Sequence, residues 1–136
     1  MNLDDIHILA ETQNLVVGHI YERAYIIRKD SNLIEEIGSL YGDTQCGLID
    51  VNDNWCIVAG DSVLIWMQGK TTHLTNPNLR WVTKMRQADN KTIQLLTDPW
   101  SDNPAIWKLD VYTLKTSKIS EFNHMKNQPY TDRFEW

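Results

Sequence analysis

The chain has 136 residues and a mass of 15.9 kDa, enough for a single domain that buries a core without disulfides or a metal. Apolar residues make up 42% and charged residues 23%, which excludes a generally disordered chain. The formal charge is −5, from 18 acidic and 13 basic side chains with no Lys or Arg run; this argues against a nucleic-acid partner, whose phosphates require clustered cations, and suits a basic protein partner.

The N-terminus, Met1 to Ile6, is acidic and carries no apolar run long enough for a signal peptide or a membrane span. The expectation is a cytoplasmic chain with no membrane association. A first strand is expected over residues 6–10, a polar turn ending at Asn14, then strands over 15–17, 24–28 and 33–37. The same order returns at 47–51, a turn ending at Asn54, then 55–59, 64–67 and 72–74. It returns again at 81–85, a turn ending at Asn90, then 92–96, 105–109 and 118–122.

The three asparagines stand 40 and 36 residues apart. Asn and Asp tolerate left-handed backbone and close side-chain turns, so a Gln-Asn or Asp-Asn step between apolar runs marks a hairpin. In the third unit the segment 105–109 arrives five residues late, and the excess is Thr97-Asp98-Pro99-Trp100-Ser101-Asp102-Asn103-Pro104. Alternation of Trp107, Leu109 and Val111 with Lys108, Asp110 and Tyr112 indicates strand, because side chains of a strand alternate faces.

A repeat of about 40 residues with four short strands resembles a β-propeller blade. The expected fold is all-β: three four-stranded antiparallel meanders in a propeller-like arrangement. Two chains forming six blades, a β-sandwich and a barrel are the alternatives. The chain 1–136 reads as one domain with units at about 5–38, 46–75 and 80–122. The tail 123–136, with Tyr130, Phe134 and Trp136, is too aromatic for a free terminus and is expected to pack on the body.

In such a meander the turns after the first and third strands share one end, and the remaining loops share the other. The second end gathers Tyr21, Glu22, Tyr41, Asp43, Asp61, Asp98, Trp100 and Asp102, an aromatic and acidic set on loops that a rigid scaffold leaves free to vary. Trp55, Trp66 and Trp107 lie within apolar strands and are expected in the core. Trp100, in the insertion, is expected either to anchor a partner or to fold down as a lid; both roles are compatible.

Catalytic signatures do not emerge. The carboxylates fall in loops, where acids form turns, and nothing fixes a pair at the separation that glycoside hydrolysis needs. His7, His19, His73 and His124 are scattered without metal-ligand spacing, no phosphate loop or nucleophile motif occurs, and Cys46 and Cys56 are expected as buried, reduced thiols. The expectation is a protein that is not an enzyme and uses no cofactor or metal.

In size, acidity, all-β pattern and lack of catalytic motif the chain resembles bacterial immunity proteins of contact-dependent inhibition systems. That resemblance implies a cognate toxin, a basic nuclease domain, whose active site is occluded by the acidic loops. It implies a monomer bound in a heterodimeric complex. The partner-binding residues are then Asp98, Trp100 and Asp102, followed by Asp43, Asp61, Glu22, Tyr41 and Tyr21. A carbohydrate-binding propeller-like module and a non-catalytic scaffold are the other two readings.

Overall fold

Hairpins organise the whole chain. The computed structural model describes residues 3–136; Met1 and Asn2, part of the N-terminus read above as acidic and without a signal sequence, lie outside them. After a short 3-10 turn at Leu3–Asp5, twelve strands follow in three meanders. Sheet 1 is β1 (His7–Glu11), β2 (Leu15–Ile20), β3 (Arg23–Arg28) and β4 (Leu33–Ser39). Sheet 2 is β5 (Cys46–Ile49), β6 (Trp55–Ala59), β7 (Val63–Met67) and β8 (Lys70–Leu74). Sheet 3 is β9 (Val82–Gln87), β10 (Thr92–Thr97), β11 (Ala105–Asp110) and β12 (Thr116–Glu121). Each sheet runs in sequence order and all pairings are antiparallel. The fold is the expected set of three propeller-like meanders, and none of the sheets closes into a barrel.

The turns form by a mechanism slightly different from the one expected. Asp53 takes the left-handed conformation (φ 60°) in the second unit, whereas Asn14 and Asn90 do not take positive φ. The side chains that close these turns lie ahead of the asparagines. Thr12 Oγ1 accepts the amides of Asn14 and Leu15, Asp50 Oδ2 accepts that of Asn54, and Asp89 Oδ1 accepts those of Lys91 and Thr92. Such bonds hold the chain in a turn and compete with extended pairing, which ends the first strand of each unit.

The sheets stack face to face, with sheet 2 in the middle. Leu15, Val17, Ala24 and Ile26 of sheet 1 meet Cys56, Val58, Leu64 and Trp66 of sheet 2. The opposite face of sheet 2, with Trp55, Ile57, Val63 and Ile65, meets Val82, Ile93, Leu95 and Leu109 of sheet 3. Covered on both faces, β6 and β7 are apolar at nearly every position rather than alternating. Sheet 2 also keeps an unbroken register, while sheets 1 and 3 each carry two bulges.

The first strands of the units converge, with β5 between β1 and β9. Gly47 makes this approach possible, since a Cβ there would stand 2.8 Å from the Cβ of Leu9. On the other side of β5, Cys46 Sγ lies 3.8 Å from the carbonyl oxygen of Val82.

Tryptophans bridge the sheets, and two of the three expected core tryptophans are deeply buried. Trp66 donates its indole N–H to Glu35 Oε2 of sheet 1 at 2.6 Å, under the guanidinium of Arg28. Trp55, fully buried, donates to the carbonyl of Asn90 at 3.1 Å. Trp107 is half-buried at the edge of the second core. Trp81 does not open a strand as expected: it sits in left-handed backbone (φ 57°) just before β9, with its ring 47% exposed.

The tail packs on the body. Beyond sheet 3, Leu96, Ile106 and Phe122 form a third core with Met125, Phe134 and Trp136. Arg86 stacks over Trp136 and Lys84 over Phe134, at 4.0 and 4.6 Å from the ring centroids. Among the described residues no helix is long and apolar enough to cross a membrane.

Candidate functional site

Five loops lie at one end of the stack and are stitched to one another by hydrogen bonds. The amide of Leu40 donates to the carbonyl of Glu22, that of Tyr41 to Asp61 Oδ1 (3.1 Å), that of Val82 to Gly60, and that of Asp98 to Trp81. Each bond joins a loop between the second and third strands of a unit to a loop between units or, at Val82, to the strand start that follows one. The end predicted from the meander pattern therefore exists as one continuous surface. The opposite end is stitched as well, by Thr12 and Asn14 on Asp53 and by Gln87 on Asp50.

Tyr21, Glu22, Tyr41, Asp43 and Asp61 gather on this surface. Tyr21 and Tyr41 are 80% and 79% exposed. Tyr21 occupies left-handed backbone (φ 53°) at the two-residue turn joining β2 to β3, where its carbonyl accepts a hydrogen bond from His19 Nδ1 at 2.9 Å. A bulky residue in that conformation is uncommon. Asp43 lines a shallow cleft with Asp5, His7, His19 and Tyr21, and the rings of His7 and His19 stack at 5.3 Å. Asp61 is half-buried because its carboxylate holds the Tyr41 amide, so it positions Tyr41 while contributing charge to the surface.

Asp98, Trp100 and Asp102 stand at the far side of the same end, in a loop of seven residues where the first and second units have two and three. The insertion read from the sequence is thus real, and Trp100 is half-buried in it. Its indole N–H donates to the carbonyl of Gln128 at 3.0 Å, and its ring meets Tyr130 at 5.1 Å and Phe134, edge to face, at 5.9 Å. Trp100 clasps the tail, and Tyr130, 81% exposed, is the outermost ring of that cluster. Asp98 Oδ1 accepts the Trp100 amide at 3.0 Å and so shapes its own loop. Asp102 is exposed, and its carbonyl accepts from Lys126.

Two features of this end were missed from sequence. Trp81 stands beside Arg80, whose guanidinium lies 5.9 Å from its ring centroid. With Trp107, Asp102, Asn103 and Lys118 it lines a broad cleft of about 590 Å³. Nothing in the local sequence signals Trp81, since left-handed backbone at a tryptophan has no propensity to announce it. The second is a hydrogen bond between Ser62 Oγ and His73 Nε2, 2.7 Å long. Ser62 is only 8% exposed; the pair ties the loop before β7 to β8 and lines a cleft of about 320 Å³ with Asp61 and Arg80.

The chemistry of the remaining groups is quiet. Burial pushes the Cys46 thiol up to about 12, and burial followed by the charge of Glu35 raises that of Cys56. Both are free thiols, Cys56 buried and Cys46 partly so. Among the described residues no group of three or more His, Cys, Asp or Glu is placed to hold a metal ion. Comparison with protein-family models and with curated proteins finds no match.

Proposed function

We propose that the stitched loop end binds a basic protein and that the chain is an immunity protein neutralising a nuclease toxin by covering its active site. The observation that carries this reading is the pairing of two nearly fully exposed tyrosines, Tyr21 and Tyr41, with the carboxylates of Glu22, Asp43 and Asp61 on loops fixed by hydrogen bonds. Rigid aromatic rings lose little entropy on binding and serve as anchors. Carboxylates around them raise the association rate with a cationic cleft and reject acidic competitors. Bound in such a cleft, the carboxylates would take the places of substrate phosphates, so that binding and inhibition would be one event. Asp98, Asp102 and the Trp100–Tyr130 pair extend the surface toward the tail.

The chain acts without catalysis, in the cytoplasm of the cell it protects, as one copy per toxin. Growth protection tests the reading: co-expression should rescue cells from a cognate basic nuclease toxin domain, and Tyr41→Ala with Asp43→Ala should abolish rescue while leaving the fold intact. Survival unchanged by these substitutions would place the binding surface elsewhere.

A second reading rests on the cleft of Trp81, Trp107, Asp102 and Asn103. Two indoles beside amide and carboxylate groups suit a sugar ring, which stacks on an aromatic face while its hydroxyls pair at the edge. Glycan binding lost in Trp81→Ala but kept in Tyr41→Ala would favour it.

A further inference from the structure

At the loop end, one small cleft holds two opposite charges that do not meet. Asp61 and Arg80 both line the cleft of about 320 Å³ in which Ser62 bonds to His73, yet among the described residues neither forms an ion pair, with the other or with a third group. Each is held by a different neighbour. Asp61 Oδ1 accepts the Tyr41 amide at 3.1 Å, and the guanidinium of Arg80 lies 5.9 Å from the centroid of the Trp81 ring.

The backbone keeps the two charges in place. The amide of Val82 donates to the carbonyl of Gly60 at 2.9 Å, which ties the segment carrying Arg80 to the loop carrying Asp61. Ahead of Arg80, Leu79 is fully buried, its amide closes a turn on the carbonyl of Asn76, and Asn76 Oδ1 accepts the amide of Asn78. The carboxylate and the guanidinium therefore stand on loops already ordered by the fold, so a ligand bridging them loses little affinity to ordering.

We propose that this cleft binds a small zwitterion, a free amino acid, with its carboxylate on Arg80 and its ammonium on Asp61. The charges select that class. A simple anion drawn to Arg80 stands beside the Asp61 carboxylate, and a simple cation meets the reverse; a ligand carrying both charges gains at both ends. Arg80 offers a planar fork of donors that matches a carboxylate. Asp61 Oδ2 takes no hydrogen bond from the described residues and is open to an ammonium group. Between them Ser62, 8% exposed and paired with His73 Nε2, presents a hydroxyl that retains hydrogen-bonding capacity for a ligand's polar atoms. The cleft lies at the lower end of the range for small-molecule sites, about 300 to 1,000 Å³, and a peptide, whose terminal charges are separated by its length, does not match it. The site shares Asp61 with the Tyr41 anchor, but its occupancy requires no toxin.

Titration of the full chain alone with L-serine, β-alanine and γ-aminobutyrate, followed by backbone amide NMR shifts, tests this. Saturable movement of the amides of Asp61, Ser62, His73 and Arg80 is expected from at least one of the three, with a dissociation constant of about 1 mM or tighter. Which of them binds best reads the span between the two charges. The N-acetyl and carboxamide forms of that binder, each lacking one charge, should bind at least about tenfold more weakly, and Arg80→Gln and Asp61→Asn should weaken the parent zwitterion as much. Asp61→Asn keeps an oxygen for the Tyr41 amide and Arg80 is exposed, so both variants retain the loops. No saturable shift from any of the three up to about 100 mM would overturn the proposal. So would acetate or methylamine binding as tightly as the zwitterion, or movement centred on Trp107 and Asn103, which line the broad cleft on the other side of Arg80.

Discussion

Trp66 of the middle sheet donates its indole N–H to the carboxylate of Glu35 in the first sheet at 2.6 Å, joining two meanders that are 31 residues apart at this bond. The ring is almost fully buried and lies under Arg28, so the bond is charge-assisted and sheltered from water on one side. Trp66→Phe keeps most of the packing but leaves Glu35 without its donor. The expected loss is about 1–3 kcal/mol of unfolding free energy in urea titration. Glu35→Gln, which keeps an acceptor at that place, should cost less. A Glu35→Ala variant as stable as the wild type would mean that ring packing alone sets the contribution.

Trp100 makes the corresponding contact between the third sheet and the tail. Its substitution by Ala removes the hydrogen bond to Gln128 and the ring contacts with Tyr130 and Phe134. The tail should become sensitive to limited proteolysis after residue 122, with about 2 kcal/mol lost from stability, the lower range for truncating a half-buried aromatic. Loss of toxin binding without tail release would instead make Trp100 a direct anchor.

The strand order was legible because its signals are local. Polar turns ending at Asn14, Asn54 and Asn90 separate apolar runs short enough to be strands, and the late arrival of residues 105–109 exposed the long loop at Trp100. The turn-forming side chains, Thr12, Asp50 and Asp89, were less legible, since each acts on an amide two to four residues later. What Trp100 touches was not legible at all, because residues 123–136 have no period to place them against sheet 3.

Acid should destabilise the chain through its turns. Backbone amides of Lys91 and Tyr112 with Thr113 hold Asp89 and Asp110 below the ordinary carboxylate range, and the bond from Lys118 does the same for Glu121. A depressed folded-state value means stability that is present above the unfolded value and lost as pH falls through the folded one. The midpoint of urea unfolding should be flat from neutral pH down to about 5 and fall below about 4, near the ordinary Asp and Glu values. Asp89→Asn should flatten part of that fall. A midpoint that stays flat down to about pH 3 would contradict this account.

The two thiols should be silent in the folded state. Burial disfavours the thiolate of Cys56 and pushes Cys46 up to about 12, and the thiolate is the reactive form. At pH 8 a disulfide reagent should modify neither at an appreciable rate until urea unfolds the chain, when both react. Fast modification of Cys46 in native buffer would show that β5 and β9 open at the point where Cys46 meets Val82.

The central claim is that Tyr41, held by Asp61, anchors a basic partner. Calorimetric titration of the chain with a basic nuclease toxin domain tests this most directly, using wild type, Tyr41→Ala and Asp61→Ala together with Trp81→Ala. The account predicts tight binding by the wild type and by Trp81→Ala, a loss of about 2 kcal/mol or more for Tyr41→Ala, and a loss for Asp61→Ala that steepens at low salt, where lost steering counts most. Binding that is absent, or that survives Tyr41→Ala and Asp61→Ala unchanged, would contradict it.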